Sequence, residues 1–293
     1  MSVPGVDPLA AQPRALIVTI YGLYAREAGG WLSIAGLIRL LAELDVDEPA
    51  VRSAISRLKQ RGLLEPRRVG GAAGYGLSEH GDAVLADGDR RIFQRPRASA
   101  ADGWVIAVFS VPEDQRARRH ALRSRLAWLG FGSVAAGVWI APAQLAAETR
   151  EVLAGDGLAE YVTLFTAGQL AFADVRHEVS RWWDLDRLEQ LYQAFIDSVA
   201  PVLARWEPDA GPDAGPLAGP LAGPLAGPPD AGRAFADYVR VLTAWRRLPF
   251  LDPGLPADLL PDDWHGTRAA ELFDRIRGRL GSLAWEHVAQ LTG

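Results

Sequence analysis

Apolar residues recur at helical spacing between positions 34 and 44, and Ser33, which precedes them, is a good N-cap. After a break at Asp45 to Asp47, a second helix is predicted, with Asp47 as its cap, Pro49 in its first turn and Gly62 at its end. Two helices joined by so short a break must cross at a steep angle. The pattern therefore predicts a helix-turn-helix unit.

The second helix has two chemically different faces. Val51, Ala54, Ile55 and Leu58 follow the spacing i, i+3, i+4 and i+7, and we expect them to face a core. The other face carries side chains that can hydrogen-bond to base edges and phosphates in a major groove. These are Arg52, Ser53, Ser56, Arg57, Lys59 and Gln60. A solvated helix without a partner would look the same, so the helix alone leaves both interpretations open.

A β-hairpin is predicted directly after this helix. The strand-like runs 63–69 and 75–77 flank the glycine-rich segment 70–74, which predicts a flexible hairpin tip, and Arg67 and Arg68 lie at its base. Ser78 then caps a helix over 79–93. The apolar run 15–24 could be a strand on its own, but this arrangement needs a helix there. Together these elements predict a winged helix-turn-helix domain over 14–97 that binds DNA, with a protein-binding winged helix as the alternative.

Strand-like and helix-like patterns alternate between residues 103 and 172. A strand over 104–111, a helix over 113–129, a strand pair ending at 140, a helix over 146–153 and a strand over 161–165 are expected. This βαββαβ order predicts a ferredoxin-like domain.

From residue 176 to 293 the patterns are helical and predict a C-terminal bundle, with apolar stripes in 188–199, 235–242 and 272–280. The segment 208–232 interrupts it with three tandem Gly-Pro-Leu-Ala copies, and it should form a loop because proline and glycine disfavour helix and strand. Residues 1–13 are expected to be a loose tail. The predicted fold class is therefore α+β.

Composition limits the possible functions. The 293-residue chain has a net charge of −5, which argues against a nucleic-acid partner. Between Asp47 and Ser78, however, there are six basic and three acidic residues, which give this segment a local charge of +3. There is no cysteine, which excludes disulfides and thiolate metal sites and suits the cytosol. The longest apolar run is about half of the roughly 20 residues that a membrane span needs. We therefore expect a cytoplasmic protein without a membrane segment.

Several segments make a family resemblance specific. The N-terminal segments 14–24, 31–32, 51–58 and 75–78 resemble the first domain of PaaX-type transcriptional repressors, which regulate phenylacetate degradation. The middle resembles the small CRISPR-associated nuclease fold found at the centre of that family. Segments 183–185, 248–256 and 259–264 resemble its C-terminal domain. The resemblance implies a repressor that binds an operator as a homodimer and is released by an aryl-acyl-CoA effector such as phenylacetyl-CoA.

No enzymatic chemistry is expected. In the related nucleases an aspartate at the end of the first strand binds the metal, but the matching residue here is Ser110, whose neutral hydroxyl cannot replace an anionic ligand. The five histidines have no metal-site spacing, so neither catalytic nor metal-binding residues nor a cofactor are predicted. The alternatives are an architectural winged-helix protein without a ligand and a divergent metal-dependent nuclease.

Two sets of site residues follow. The residues expected to contact DNA are Ser33, Arg52, Ser53, Ser56, Arg57, Lys59, Gln60, Arg67, Arg68 and Tyr75. Arg116, Arg119 and Arg123 share one helix face and are candidates for binding the phosphates of the effector or a DNA backbone. A solvated, acid-paired helix face explains these three more simply, because charged helix faces are usually just exposed.

Overall fold

The computed structural model describes residues 8–94, 97–170, 174–207 and 230–292. The chain divides into two compact units. The first contains residues from Met1–Arg90, Tyr192–Arg246 and Gly266–Gly293, and the second those from Arg91–Leu191 and Arg247–His265. The predicted mixture of helices and strands is confirmed, with two antiparallel sheets in the described residues. The Gly-Pro-Leu-Ala copies lie outside the described residues.

The first unit begins with the run that was ambiguous in the sequence. It is helical: α1 spans Pro13–Ile20 and continues as a π-helical turn over Tyr21–Ala25. Leu16, Ile17 and Ile20 are buried at helical spacing, so burial of one face outweighs the strand preference of the β-branched residues. Pro13, placed in the predicted tail, is instead the first residue of α1.

The predicted helix pair is present. The helix α2 spans Ile34–Ala42 and α3 spans Glu48–Gln60, and the side chains of Ser33 and Asp47 accept the capping hydrogen bonds at their N-termini. Asp45 in the connection has a left-handed backbone, with φ of 61°. The N–H of Val46 donates to the carbonyl of Leu41 at 3.0 Å, and that of Asp45 to Ala42 at 3.1 Å. This is a Schellman-type helix end, in which glycine is usual at the left-handed position.

Three strands form the sheet of the first unit. They are β1 (Trp31–Ser33), β2 (Leu64–Val69) and β3 (Ala72–Leu77). Their order in the sheet is β1-β3-β2. Val69 faces Ala72, so the hairpin turn is only Gly70-Gly71, whose φ angles of 57° and 83° match a two-residue I′ turn. The prediction of a five-residue flexible tip is therefore wrong, because residues 72–74 pair with β2.

Four more helices contribute to this unit: α4 (Glu79–Phe93), α8 (Leu185–Trp206), α9 (Ala231–Trp245) and α10 (His265–Thr292). Asp230 caps α9, so residues 231 and 232 are helical and not part of a loop. The helix α9 packs on α1, where the buried hydroxyls of Thr19 and Thr243 lie 2.7 Å apart. Residues of the predicted N-terminal and C-terminal domains therefore share one compact unit.

The second unit contains a four-stranded antiparallel sheet in the order β5-β6-β4-β7. Its strands are β4, Trp104–Phe109, β5, Gly132–Ala135, β6, Val138–Pro142, and β7, Val162–Ala167. Its complete helices are α5, Arg116–Leu129, α6, Ala146–Gly155, and α7, Val175–Trp182. Val105, Ala107 and Ala141 of the sheet pack with Leu122 and Leu126 of α5 to form its core.

Candidate nucleic-acid interface

The two faces of α3 separate as the sequence predicted. Val51, Ala54, Ile55 and Leu58 are all buried. The six polar residues of the opposite face, Arg52, Ser53, Ser56, Arg57, Lys59 and Gln60, are all exposed. The polar face is therefore free to meet a partner.

The cations of this face differ in how they are held. Arg52 is paired within α3, since it donates to the Glu48 carboxylate at 2.6 and 2.7 Å. Across the described part of the chain, no ion pair or hydrogen bond engages the side chain of Arg57. Arg57 is accordingly a cation of α3 that can engage an external acceptor without breaking an ion pair or hydrogen bond to the described residues.

The hairpin supplies two further arginines, which have different environments. Arg67 donates to the carbonyl of Gly29 at 3.0 Å, and its guanidinium lies over the backbone of Gly76. Among the residues that the structure describes, the side chain of Arg68 makes only a long contact, 3.4 Å, with the carbonyl of Gly71. Both side chains are exposed, but Arg67 also ties the hairpin to the segment that follows α1. Arg68 is more available to a phosphate.

Tyr75 connects the hairpin to α1 and α3. Its backbone carbonyl accepts a hydrogen bond from the hydroxyl of Tyr21 at 2.9 Å, and the ammonium of Lys59 lies 5.9 Å from its ring centroid. Burial raises the pKa of Tyr21, with Tyr75 adding to the rise and the nearby Arg67 opposing it. Tyr21 therefore stays a neutral donor at any physiological pH, and Tyr75 is fixed by both neighbours.

Ser33 has a structural task. Its hydroxyl oxygen accepts the N–H of Gly36 at 3.0 Å as the N-cap of α2. A contact between Ser33 and DNA would have to use the remaining hydroxyl hydrogen, and that contact stays a prediction. In the structure, Ser33 stabilises the N-terminus of α2.

Sequence reasoning missed the third strand and its tryptophan. Trp31 in β1 donates from its indole N–H to the carbonyl of Arg67 at 3.0 Å and thereby holds the arginine-bearing strand. A Cβ at Gly74 would lie 2.6 Å from the Trp31 ring and 2.3 Å from the Leu32 carbonyl, so only glycine fits there. The glycine within the strand pattern was the available signal for this close approach.

Comparison with known proteins places the chain in a family. Three family models match it in succession: PaaX-like protein over residues 12–81, PaaX protein central Cas2-like domain over 97–179, and PaaX-like protein C-terminal domain over 221–290. Together these matches cover more than half of the chain. The chain belongs to the PaaX-like family. The expected family resemblance is thus confirmed.

Two relatives extend the PaaX-like assignment. The transcriptional repressor PaaX of Escherichia coli strain K12 is 28% identical over 288 residues, which cover 97% of this chain and 85% of that protein. The uncharacterized protein Rv0674 from Mycobacterium tuberculosis has a similar fold, with a TM-score of 0.60 at 22% identity, covering 95% of this chain and 99% of the other. The prediction that the chain is not an enzyme agrees with its PaaX relative, which is a repressor.

The central Cas2-like region carries the position compared with a nuclease metal ligand. Ser110 directly follows β4, and its N–H donates to the carbonyl of Tyr161 at 3.1 Å. Within the described ranges, no group of three or more His, Cys, Asp or Glu side chains is placed to hold a metal. None of the helices in those ranges is long and apolar enough to cross a bilayer.

The three arginines proposed for an effector do lie on one helix, but they are not equivalent. Arg116 and Arg123 of α5 are exposed. Arg119 is half-buried and donates to the carbonyl of Val111 at 2.7 Å, which fixes the segment before the helix. On the adjoining face Arg125 pairs with Asp156 at 2.5 Å. Part of this arginine face therefore holds the fold together, and the effector role of the rest stays a prediction.

Proposed function

We propose that the protein is a DNA-binding transcriptional repressor that contacts its operator through α3 and the β2–β3 hairpin. Two observations carry the proposal. Arg57 is exposed on the polar face of α3, where no described residue pairs with its side chain, and Arg68 is exposed on the hairpin that follows α3 in the chain. An arginine on such a helix can reach a guanine edge bidentately, whereas an arginine on a hairpin suits a phosphate. The repressor relative from E. coli supports this assignment.

The arrangement supports finer fold assignments. Helices α2 and α3 with the sheet order β1-β3-β2 fit a winged helix-turn-helix, in which α3 is the recognition helix and the hairpin the wing. The order β5-β6-β4-β7 fits a ferredoxin-like domain, because its first and third strands are central. The helices α8, α9 and α10 fit a C-terminal helical bundle.

The proposed biology follows the family. The protein would act in the cytoplasm as a homodimer on the operator of an aromatic-acid catabolic operon of the phenylacetate type. Phenylacetyl-CoA or a related acyl-CoA would release it by preferring the arrangement that does not bind DNA. A rise in melting temperature with phenylacetyl-CoA would support this effector, and light scattering of the purified protein tests the dimer.

The DNA-binding proposal is tested with genomic DNA fragments that the purified protein binds and retains in a selection experiment. Fluorescence anisotropy then compares the wild type, Arg57→Ala and Arg150→Ala on a retained fragment and on a scrambled one. Arg150 is an exposed arginine of α6, so its loss changes net charge equally, away from α3. We expect Arg57→Ala to lower affinity for the retained fragment about 5- to 150-fold, matching about 1–3 kcal/mol for a base contact. An equal loss in both variants would contradict the proposal.

A further inference from the structure

A cavity of about 440 Å³ in the first unit lies against the connection between α2 and α3. Leu16 of α1, Leu44 of the connection and Val202 of α8 contribute apolar lining, and residues 9–11 complete it. At about 30 Å³ per molecule this space would hold more than ten waters, far beyond a packing defect. Its volume is within the range of ordinary small-molecule sites.

One side of the cavity is cationic. Arg205 of α8 and Arg240 and Asp237 of α9 line it, which gives two positive charges against one negative. Asp237 is already satisfied, because it accepts hydrogen bonds from Arg205 at 3.1 and 3.2 Å and from the Trp206 indole at 2.9 Å. Arg240 supplies the remaining positive charge of the lining, and its own partner, Asp45, lies outside the lining. A ligand with an apolar body and an anionic end matches this lining.

Arg240 connects the cavity to the DNA-binding helices. It donates to the carboxylate of Asp45 at 2.7 Å, and the Asp45 side chain is otherwise 90% exposed. Asp45 is the left-handed residue that ends α2 and sets the path into α3. Such a backbone costs an ordinary side chain energy, so a partner that holds it stabilises the connection.

We propose that this cavity binds a small organic anion with an apolar body, such as an alkyl or aryl carboxylate, through Arg240. The bound anion competes with Asp45 for the guanidinium and so releases the connection between α2 and α3. DNA affinity then falls, since the two helices lose one of the contacts that fix their relative position. The predicted change in DNA affinity rests on the proposed repressor function, whereas binding of the anion in the cavity does not depend on it.

Isothermal titration of the full-length protein without DNA tests the site. The probes are octanoate and 3-phenylpropionate, each compared with its uncharged amide. We expect at least one carboxylate to bind at least tenfold more tightly than its amide. Arg240→Gln should remove that preference, and Ser198→Phe, which fills the cavity from α8, should abolish binding without removing a charge. Equal binding of acid and amide, or binding unaffected by both substitutions, would overturn the site.

Asp45→Asn tests the coupling. Asparagine tolerates the left-handed backbone but cannot form the ion pair, and it leaves the cavity intact. In the wild type the bound carboxylate should lower DNA affinity about three- to fivefold, because the ion pair it breaks has an exposed carboxylate. In Asp45→Asn it should still bind but change DNA affinity less than twofold. An undiminished response in Asp45→Asn would overturn the coupling. If the protein binds DNA through Arg57 but binds neither carboxylate, the cavity site is refuted and the repressor function is not. If a carboxylate binds but the protein does not bind DNA, the repressor function is refuted and the cavity site is not.

Discussion

The ammonium of Lys59 lies 5.9 Å from the centroid of the Tyr75 ring, and this contact joins α3 to the β2–β3 hairpin. The backbone of Tyr75 is at the same time held by the hydroxyl of Tyr21. The two elements proposed to meet DNA, α3 and the hairpin, are thus fixed to each other and to the π-helical turn through a single residue. Their relative position is set before a partner arrives.

The Lys59–Tyr75 contact predicts a measurable coupling energy. Tyr75→Leu keeps an apolar body but removes the ring face that attracts the cation, and Lys59→Met removes the cation but keeps the chain length. A double-mutant cycle in urea unfolding should give a coupling of about 0.5–1 kcal/mol, the size expected for a partly exposed cation and ring. Additive effects of the two substitutions would show that the contact contributes nothing.

Arg68 and Arg67 should respond differently to salt and to urea. If Arg68 neutralises a phosphate, Arg68→Ala will flatten the slope of log affinity against log salt by about 0.9, because one fewer counterion is released. Arg67→Ala should in addition lower the free energy of unfolding, since it breaks the bond to the carbonyl of Gly29. Anisotropy at several salt concentrations, with urea unfolding alongside, separates the two effects. An unchanged slope for Arg68→Ala would remove it from the interface.

Much of the local fold was predictable because the caps and glycines are explicit in the sequence. Ser33 and Asp47 begin α2 and α3 as expected, and α4 has the predicted bounds, 79–93. The predicted flexible tip is wrong because three of its five residues pair with β2, and glycine content alone does not show whether a segment pairs. The φ angles of Gly70 and Gly71 show a tight turn, and the requirement at Gly74 comes from Trp31, which is distant in sequence.

The site was predicted only at the level of its faces. Amphipathic spacing identified the exposed side of α3, but pairing is a tertiary property that spacing does not contain. Arg119 and Arg67 are engaged by backbone carbonyls, whereas Arg57 is not. The pairing of Arg240 with Asp45 joins positions 195 residues apart, and no local pattern indicates it.

Two tyrosines of the π-helical turn should respond oppositely to loss of the hydroxyl. Tyr21→Phe leaves the carbonyl of Tyr75 without its donor and should cost about 1 kcal/mol of unfolding free energy. The Tyr24 hydroxyl is buried, and no hydrogen-bond partner for it is found in the described residues. Tyr24→Phe should therefore be neutral or stabilising. Urea unfolding of both variants provides the matched comparison, and a larger loss for Tyr24→Phe would contradict it.

Buried tyrosines also predict a loss of stability in alkali. Burial raises the pKa of Tyr238 to about 12 and raises the pKa of Tyr21 and Tyr24 as well. The unfolded chain, with tyrosine pKa near 10, loses these protons first, so stability is fully present below about pH 10 and falls as pH rises from there. Urea unfolding between pH 8 and 11 should show this fall, and Tyr238→Phe should reduce it. A flat profile above pH 10 would contradict the assignment.

Arg91 of α4 should be the most sensitive charged residue of the second unit. It is 5% exposed, lies 3.9 Å from the Trp128 ring centroid and pairs with Glu148 at 2.6 Å. Arg91→Ala would leave Glu148 without its cation and should cost about 2–3 kcal/mol, less than the loss of a fully buried pair because the Glu148 side chain is 30% exposed. Arg91→Lys should rescue little because lysine lacks the planar group that stacks on the ring. The neighbouring Arg90 has a 69% exposed side chain, so Arg90→Ala should cost less than about 1 kcal/mol. Thermal unfolding of the three variants measures the contrast, and equal losses at both positions would show that burial of Arg91 has no energetic consequence.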